Sequence, residues 1–493
     1  MRPSLVLVAL VTVSLLALSV SAQDSTEKTK MIIEVIRHGA RVPIYAAAKE
    51  DWIRGLQPGD LTDVGKRQHY LLGKELVKQF SGFFTDKFAA EEYYVRASGF
   101  QRTVASAQSH LLGMWDHFVL TQLDFQNGDI RTVPPSVSLN TVNTPFRTPL
   151  PKGYIPDPIH TDSLQDDELL YFIGSEVCPI GKDMSRNSIN SIRTEADKNP
   201  DFTAFVKQVQ QVYGLPEYPS GKSLFDACVE LADFAYQDSR VNPTPKISTS
   251  HELFKRLTRC YEVNIVGKFL NPQVKKMIPT PLMEDIMQKL KDKTNSTLRS
   301  PLKFQLYSGH DSTIAPILSL LGLLDVNCFV EDLKQAKHSD ACKNFPDVAS
   351  NLVFELVTVA DAYFVKTFYN FGPIDVCGLK NEAEKYRCPI SKFEESWKSK
   401  LSSNWKKECG TTNLVLPGKP EVKTSSIKTA GWILIFLAGI LIISLACLIV
   451  TLVTLPKPIN EDMKLYSSNI EEHTDNTIDY GSGMTRRSNV STK

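Results

Sequence analysis

The sequence has almost no excess charge of either sign, and it lacks internal repeats and the residue spacings of a metal site. Its 493 residues include 56 lysines and arginines against 55 aspartates and glutamates, a formal net charge of +1. A balance this even gives no argument for nucleic acid as a partner. No cysteines follow the C-x-x-C spacing and no histidines the H-x-x-x-H spacing, so we expect no metal and no cofactor.

Charged residues are also absent from an apolar run close to the start of the sequence. Residues 1–22 combine the single positive charge of Arg2, an apolar stretch over residues 5–18 and the small residues Val20-Ser21-Ala22. This order of features is typical of a secretory signal peptide with its cleavage site. We therefore predict that residues 1–22 are removed and that the chain enters the secretory pathway.

A second run without charge lies close to the other end. Residues 430–455 contain no charged residue and are long enough to cross a hydrocarbon core of about 30 Å, which predicts a C-terminal transmembrane helix. Lys428 and Lys457 flank the run at both ends, so the charge bias does not choose the orientation. The signal peptide does, and it predicts a single-pass type I membrane protein with a luminal or extracellular body and residues 456–493 as a cytosolic tail.

Eight of the nine cysteines fall in the predicted luminal part, where an oxidising compartment favours disulfides. The close spacings favour Cys328 with Cys342 and Cys377 with Cys388, while the full connectivity stays open among 105 arrangements. The luminal sequon Asn295-Ser296-Thr297 lies in a polar stretch and predicts a glycosylated surface loop.

Three short apolar runs each lead to charged residues. They are residues 31–36 before Arg37 and His38, residues 93–98 around Arg96, and residues 304–307 before His310 and Asp311. A helical pattern follows each run, so we predict an α/β fold with a mostly parallel central sheet flanked by helices. Because the carboxyl ends of parallel strands meet at one edge of a sheet, where helix N-termini also suit anions, we expect the charged groups at one rim.

The segment between the second and third runs has a different composition. It is rich in proline at first and then in helical patterns, so we predict a mostly helical insertion over residues 135–300 that overhangs the rim. The α/β core would comprise residues 23–134 and 301–415. Residues 351–372 predict a hairpin of two strands around Ala360-Asp361.

The charged residues at the strand ends suit phosphate chemistry. A planar guanidinium gives paired, charge-assisted hydrogen bonds to phosphoryl oxygens, and Arg37, Arg41 and Arg96 would supply three of them. Any one arginine is ordinarily a surface ion pair, but three at strand ends beside two histidines indicate a phosphate site. His38 is the candidate nucleophile, because neighbouring guanidinium groups lower the pKa of an imidazole and keep it unprotonated.

The third strand end supplies the other reacting groups. Asp311 is the candidate general acid that protonates the leaving alcohol, which requires a protonated carboxyl or an acidic working pH. His310 is the candidate for a further cationic ligand of the phosphate. A histidine that only packs in the core and an aspartate that only caps a helix are the structural alternatives for these two residue types.

The pattern Arg37-His38-Gly39-x-Arg41-x-Pro43 together with His310-Asp311 resembles the two signature motifs of the histidine acid phosphatases. These are the acid phosphatase and phytase branch of the histidine phosphatase superfamily. The segments LTDVGKRQHYLLGKEL and VRASGFQRTVASAQ resemble further parts of that branch, and the similarity covers most of residues 30–370. The resemblance implies a phosphoglycerate mutase-like fold without a metal. It also implies a phosphohistidine on His38, a phosphate pocket of Arg37, Arg41, Arg96 and His310, and proton donation by Asp311.

The signal peptide, single span and short tail further resemble the membrane-anchored lysosomal acid phosphatases. This implies a catalytic domain in the lysosome or a related acidic compartment, or at the cell surface. An aspartate after the second histidine argues against the inositol-polyphosphate branch, where the resemblance implies a different acid at that position.

Two other functions stay open on the sequence alone. One is a catalytically inactive ectodomain that binds a phosphorylated ligand and signals through the tail, and the other is a phosphatase specific for lipid phosphates, which membrane tethering would favour. The expected partners are small phosphomonoesters and the membrane. The sequence does not decide whether the protein forms a homodimer.

Overall fold

The computed structural model describes residues 27–44, 55–84, 89–115, 158–174, 176–213, 223–379 and 385–411. The predicted signal peptide, transmembrane helix and cytosolic tail lie outside these residues. Within the described ranges, no helix is both long enough and apolar enough to cross a membrane.

An eight-stranded sheet forms the centre of the fold. Its strands are β1 (Lys28–Arg37), β2 (Tyr93–Ala97), β3 (Ile159–His160), β4 (Phe304–Gly309), β5 (Asn351–Val359), β6 (Ala362–Tyr369), β7 (Gly372–Ile374) and β8 (Cys388–Pro389). They lie in the order β3-β2-β4-β1-β5-β6-β7, and β8 pairs with β6.

The sheet has a parallel half and an antiparallel half. The pairings of β2 with β3, β2 with β4 and β1 with β4 are parallel, whereas every pairing from β1 to β5 onward is antiparallel. The predicted α/β class is confirmed, but the prediction of a mostly parallel sheet is wrong. The reason is that β5 pairs with β1 in the opposite direction, so the predicted hairpin of β5 and β6 joins the central sheet and extends it as an antiparallel half.

Helices flank the sheet and fill the segment between β3 and β4. They are α1 (Asp63–Gln79), α2 (Gln101–Trp115), α3 (Pro179–Asp197), α4 (Pro200–Tyr213), α5 (Leu224–Val241), α6 (Glu252–Val266), α7 (Pro272–Met277), α8 (Thr280–Thr294), α9 (Asp311–Leu320), α10 (Val326–Lys334), α11 (Ile390–Lys400) and α12 (Trp405–Glu408). The six helices α3 to α8 occupy most of the segment for which the sequence predicts a helical insertion, and the domain boundaries themselves stay a prediction.

Strand β1 is covered on both faces, as its unbroken apolar run predicts. Ile33 and Val35 pack in a core cluster that includes residues of α3 to α8. Ile32 and Ile36 point the other way, into a cluster with residues of α1 and α2. The strand that carries Arg37 at its end is therefore fixed from both sides.

Helices α1 and α2 pack against each other at very short range. The side chain of Thr62 caps α1 by accepting a hydrogen bond from Gly65 N at 3.1 Å. Gly113 in α2 faces the carbonyl of Tyr70 in α1, and a Cβ atom at this glycine would overlap that carbonyl. The pair forms a dense layer behind the parallel half of the sheet.

The cysteine and turn predictions are also confirmed. Four disulfides form among the described residues, and they join Cys178 to Cys409, Cys228 to Cys260, Cys328 to Cys342 and Cys377 to Cys388. Ala360 and Asp361 turn the β5–β6 hairpin with φ angles of 46° and 64°. Asn295 is exposed directly after α8, as expected for a sequon on a surface loop.

Candidate active site

The two predicted motifs meet where the parallel strands β1 and β4 end. Arg37 is the register partner of Gly309, and His38 N donates to Gly309 O at 3.0 Å. The imidazole rings of His38 and His310 consequently lie 5.5 Å apart between centroids. Residues separated by more than 270 positions in the chain thus share one buried site.

The ring of His38 is oriented by its own loop. Its Nδ1 lies 2.8 Å from the carbonyl oxygen of Gly39, and because a carbonyl can only accept, Nδ1 carries the proton and Nε2 keeps its lone pair. Burial lowers the pKa of His38 well below its usual range, and the positive charges of Arg102 and Arg37 lower that pKa further. A histidine in this setting stays neutral in acid.

The backbone after His38 is held by α1 and α2. Gly39 N donates to Ser106 Oγ at 3.2 Å, and Ala40 N donates to Gln68 Oε1 at 2.9 Å. Gly39 and Gly65 approach so closely that a Cβ atom added to Gly39 would lie 2.6 Å from the carbonyl oxygen of Gly65. Helix α1 therefore fixes the catalytic loop through backbone contact.

Arg37 is fully buried and makes contacts with several elements at once. Its Nη2 lies 3.0 Å from Asp311 Oδ2 and donates to the hydroxyl of Tyr261 at 2.9 Å. Its Nη1 donates to the hydroxyl of Tyr236 at 3.2 Å and to the carbonyl of Pro346. Tyr236 and Tyr261 belong to α5 and α6 and stack on each other with ring centroids 5.2 Å apart.

Asp311 faces two donors that favour its ionised form. Tyr261 donates its hydroxyl proton to Oδ2 at 2.7 Å, and Arg37 pairs with the same oxygen. Burial by itself raises the pKa of Asp311, but the charge of Arg37 and the hydrogen bond from Tyr261 outweigh burial, and the net pKa is lowered. The carboxylate form of Asp311 is thus favoured as long as no other anion pairs with Arg37.

Arg41 lies in the same cluster but is already paired. Its guanidinium makes two hydrogen bonds to Asp233 on α5, at 2.7 and 3.3 Å, and its backbone N donates to Gln237 Oε1 at 3.1 Å. Its charge still contributes to the lowered pKa values of His38 and His310. A ligand at this site would share Arg41 with Asp233.

The structure does not bring Arg96 to the other predicted residues. Its Nη2 pairs with Asp162 Oδ2 at 2.6 Å and Asp167 Oδ1 at 2.9 Å. Arg96 is the register partner of Tyr307 and of His160, and side chains in register share one face of a sheet. Arg96 is therefore level with Tyr307, two residues short of the level of Gly309 and Arg37, and the two aspartates hold its guanidinium there.

Arg102 occupies the position that we expected for Arg96. It lies in the first turn of α2, its charge acts on both His38 and His310, and its guanidinium stacks 4.2 Å from the ring centroid of Phe100. Burial and the neighbouring charge of Arg41 together lower the pKa of Arg102 to about 10. The start of α2 could have indicated Arg102 from the sequence, because a residue in the first turn of a helix that follows a strand lies at the edge of the sheet where that strand ends.

His310 is oriented by the segment that follows β2. Its Nε2 lies 2.8 Å from Ser98 Oγ, and its ring meets that of Phe100 with centroids 5.2 Å apart. Burial lowers the pKa of His310 well below its usual range, as does Arg102, so the neutral form is favoured over the expected cation.

No group of three or more potential ligands drawn from histidine, cysteine, aspartate and glutamate lies close enough to hold a metal ion in the described ranges. The side chains that meet at the site carry guanidinium, imidazole, carboxyl and phenol groups. Together these offer a neutral nucleophile, several cations and one buried carboxyl.

Comparison with protein families identifies this arrangement. Residues 28–370 match the family model of the histidine phosphatase superfamily (branch 2), and the chain belongs to that family. The match spans both strand-end motifs and the helices between them.

Named relatives and solved structures agree with the family. The chain is 25% identical to lysosomal acid phosphatase of Xenopus laevis over 90% of this chain and 92% of the relative. It is 24% identical to human prostatic acid phosphatase over 78% of this chain and 89% of the relative. A phytase of Hafnia alvei in its apo form has a similar fold, with a TM-score of 0.52 at 16% identity, over 78% of this chain and 98% of that one.

The family and the class of enzyme predicted from the sequence are thereby confirmed. The protein is a phosphatase of the acid phosphatase and phytase type, and so a phosphoric monoester hydrolase. The roles of the individual side chains are a separate matter that the geometry has to support.

Proposed function

We propose that the protein hydrolyses small phosphate monoesters in two steps through a phosphohistidine on His38. The observation that carries this proposal is the orientation of His38, whose Nδ1 is engaged by the Gly39 carbonyl at 2.8 Å. Nε2 is thereby left available beside Arg37 and Arg102, whose charges keep the ring neutral. A neutral imidazole among guanidinium groups is suited to attack on an anionic phosphoryl group.

In the first step the lone pair of His38 Nε2 forms a bond to phosphorus, and the bond from phosphorus to the ester oxygen breaks. Arg37, Arg41 and Arg102 hold the non-bridging oxygens, and His310 donates a further hydrogen bond. The departing oxygen takes a proton from the carboxyl of Asp311, so the alcohol leaves neutral.

Asp311 must be protonated for that step, although its pKa is lowered by Arg37 and Tyr261. Two conditions favour the protonated form of the Asp311 carboxyl. An acidic medium raises the protonated fraction, and a bound phosphate neutralises Arg37 and so lets the pKa of Asp311 rise. The arrangement therefore favours activity in acid, and the neutral state of His38 persists there.

In the second step a water molecule attacks the phosphohistidine, and the bond between phosphorus and Nε2 breaks. The Asp311 carboxylate accepts the proton of the water. Inorganic phosphate leaves, and His38 and Asp311 return to their starting states, so the cycle balances without a cofactor.

For the setting of this activity, we propose a luminal catalytic domain on a single-pass type I membrane protein. Support comes from the apolar runs over residues 1–22 and 430–455, from four disulfides among the described residues, and from the lysosomal acid phosphatase among the relatives. The expected location is the lysosome, a related acidic compartment or the cell surface. Glycosylation at the exposed Asn295 belongs to the same proposal.

Trapping the intermediate tests the mechanism. The full-length protein is mixed briefly with a ³²P-labelled aryl phosphate near pH 5 and quenched in alkali, because phosphohistidine is stable in alkali and labile in acid. We expect label on the peptide that contains His38 and none in the His38→Ala variant. Label on a different side chain, or turnover that survives His38→Ala, would overturn the mechanism.

A further inference from the structure

A second cleft lies at the opposite end of β1 from the catalytic residues. It has a volume of about 780 Å³ and is lined by residues at the start of β1, the end of α1, the end of α8 and strand β6. Lys30 and Arg37 are seven residues apart on β1, so at about 3.3 Å per residue the cleft is roughly 23 Å from the phosphatase site. The two sites do not share lining residues.

Positive charge accumulates in this cleft. Five lysines line it, namely Lys28, Lys30, Lys293, Lys303 and Lys366. Within the described ranges, neither Lys28 nor Lys30 pairs with an acid, and Lys293 donates to the carbonyl of Ser300 at 2.8 Å. Burial lowers the pKa of Lys293, and the positive charges of Lys303 and Lys30 lower it further. Like charges are thus held close together here.

The acidic residues nearby are already engaged. Glu27 and Glu355 both pair with Lys366, at 2.7 and 3.4 Å, and Glu92 pairs with Lys303. The charges of Lys28, Lys30 and Lys293 are therefore left without a matching carboxylate in the described part of the chain. Charge of one sign in a concave site attracts ligands of the opposite sign.

Aromatic rings form the other part of the lining. They belong to Phe80, Phe83, Phe368 and Phe371, all of them half-buried. Phe80 and Phe368 meet edge to face with centroids 5.9 Å apart. Half-buried phenyl rings beside uncompensated ammonium groups form a surface with one apolar part and one cationic part.

We propose that this cleft binds an amphipathic anion, which has a carboxylate, sulfate or phosphate head on an acyl chain or aromatic ring. The head pairs with Lys30 and Lys293, and the apolar part lies on the phenyl rings. The volume lies in the range of about 300–1,000 Å³ that small-molecule sites occupy. Bound here, the ligand is remote from His38 and is not hydrolysed. The proposal is independent of the mechanism proposed above.

Fluorescence titration of the full-length protein in discs of neutral lipid tests the proposal. The probe is 8-anilinonaphthalene-1-sulfonate, with the uncharged N-phenyl-1-naphthylamine as the matched apolar probe, after subtraction of the signal from empty discs. We expect Lys30→Glu and Lys293→Glu to weaken binding of the sulfonate at least about tenfold and to leave the uncharged probe within about twofold. Oleate should displace the sulfonate, and inorganic sulfate at the same concentration should not.

The control is Lys207→Glu, which makes the same charge change at an exposed lysine of α4 outside the cleft. Unchanged sulfonate binding in the two cleft variants would overturn the proposal. An equal loss of sulfonate binding in Lys207→Glu would also overturn it, because binding would then depend only on the net charge of the protein. Displacement of the sulfonate by sulfate as efficiently as by oleate would overturn it too, because the cleft would then be a simple anion site. Turnover of p-nitrophenyl phosphate within about twofold of wild type shows that the variants are folded.

Discussion

Two arginines lie near the carboxyl ends of β1 and β2, the parallel strands on either side of β4, and they have different surroundings. Arg37 ends β1, is fully buried, and contacts Asp311 together with two tyrosines from α5 and α6. Arg96 stands one residue before the end of β2, keeps 12% of its side chain exposed, and pairs with two aspartates. Only Arg37 lies beside His38, the proposed nucleophile.

The difference shows what a strand end supplies and what it does not. Both side chains belong to the same face of the sheet, but Arg37 is level with Gly309 at the strand end, whereas Arg96 is level with Tyr307, two residues short of it. At β1 the helices between β3 and β4 add Tyr236, Tyr261 and Asp233, which enclose the guanidinium groups. At β2 the neighbours of Arg96 are carboxylates that neutralise it. The inserted helices therefore complete the reacting site at β1.

The largest expected effect is the loss of activity when His38, directly after β1, is replaced. His38→Ala removes the group that forms the covalent intermediate, and we expect kcat for p-nitrophenyl phosphate at pH 5 to fall at least about 10⁴-fold. His338→Ala, a histidine with an exposed side-chain fraction of 18%, serves as the control and should keep full activity. Equal kcat values for the two variants would refute the assignment.

The next effect distinguishes Arg102 from Arg96. Arg102→Ala removes a charge that acts on the phosphoryl group, so we expect kcat/KM to fall by about 10²–10³-fold. Arg96→Gln should leave kcat/KM within about threefold and should instead lower the melting temperature, because buried Asp167 loses its partner. Steady-state kinetics and thermal unfolding on both proteins check this. The reverse ranking would restore Arg96 as the phosphate ligand.

A smaller effect concerns the phenol that contacts the general acid. The hydrogen bond from Tyr261 lowers the pKa of Asp311, so Tyr261→Phe should raise that pKa. Since Asp311 acts as an acid, the alkaline limb of the kcat/KM profile should move to higher pH, with a severalfold change in rate. Tyr236→Phe is the matched control, because Tyr236 contacts Arg37 but has no hydrogen bond to Asp311. A limb that stays in place in Tyr261→Phe, or moves equally in both variants, contradicts this role.

The smallest expected effect is on the pH dependence of stability, and it concerns His69 in the layer of α1 and α2. Burial lowers the pKa of His69 in α1 to about 3. The unfolded chain takes up this proton near pH 6.5 and the folded chain does not, so the free energy of unfolding should fall as pH drops from about 6.5 to 3. His69 alone should lower the free energy of unfolding by about 2 kcal/mol between pH 6.5 and pH 5. Urea unfolding at both pH values should show a smaller difference in His69→Gln, and an unchanged difference would contradict the assignment.

The sequence predicted the features that depend on local patterns. The apolar runs identified β1, β2 and β4, and the charged residues after β1 and β4 predicted that His38 and His310 meet. These predictions succeed because strands that are buried on both faces and helix starts each have a short-range signal.

The sequence did not predict the features that depend on distant partners. The pairing of β1 with β5 joins residues more than 300 positions apart, so the antiparallel half of the sheet had no local signal. Asp233, Tyr236 and Tyr261 reach the site from amphipathic helices whose sequences resemble any core-packing helix. Arg102 was missed because it lies beyond the end of β2, in the first turn of α2, whereas the prediction considered the residues of the strand end.

The contact between Gly39 and Gly65 has a consequence for inherited or engineered variants of this enzyme. The chain at these two positions has no space for even a methyl group, because the closest neighbours are backbone atoms that cannot rotate away. A change to alanine at either position would displace the loop that aims His38 while leaving every reacting group chemically intact. Such a variant should be classed as damaging, even though neither glycine takes part in the reaction.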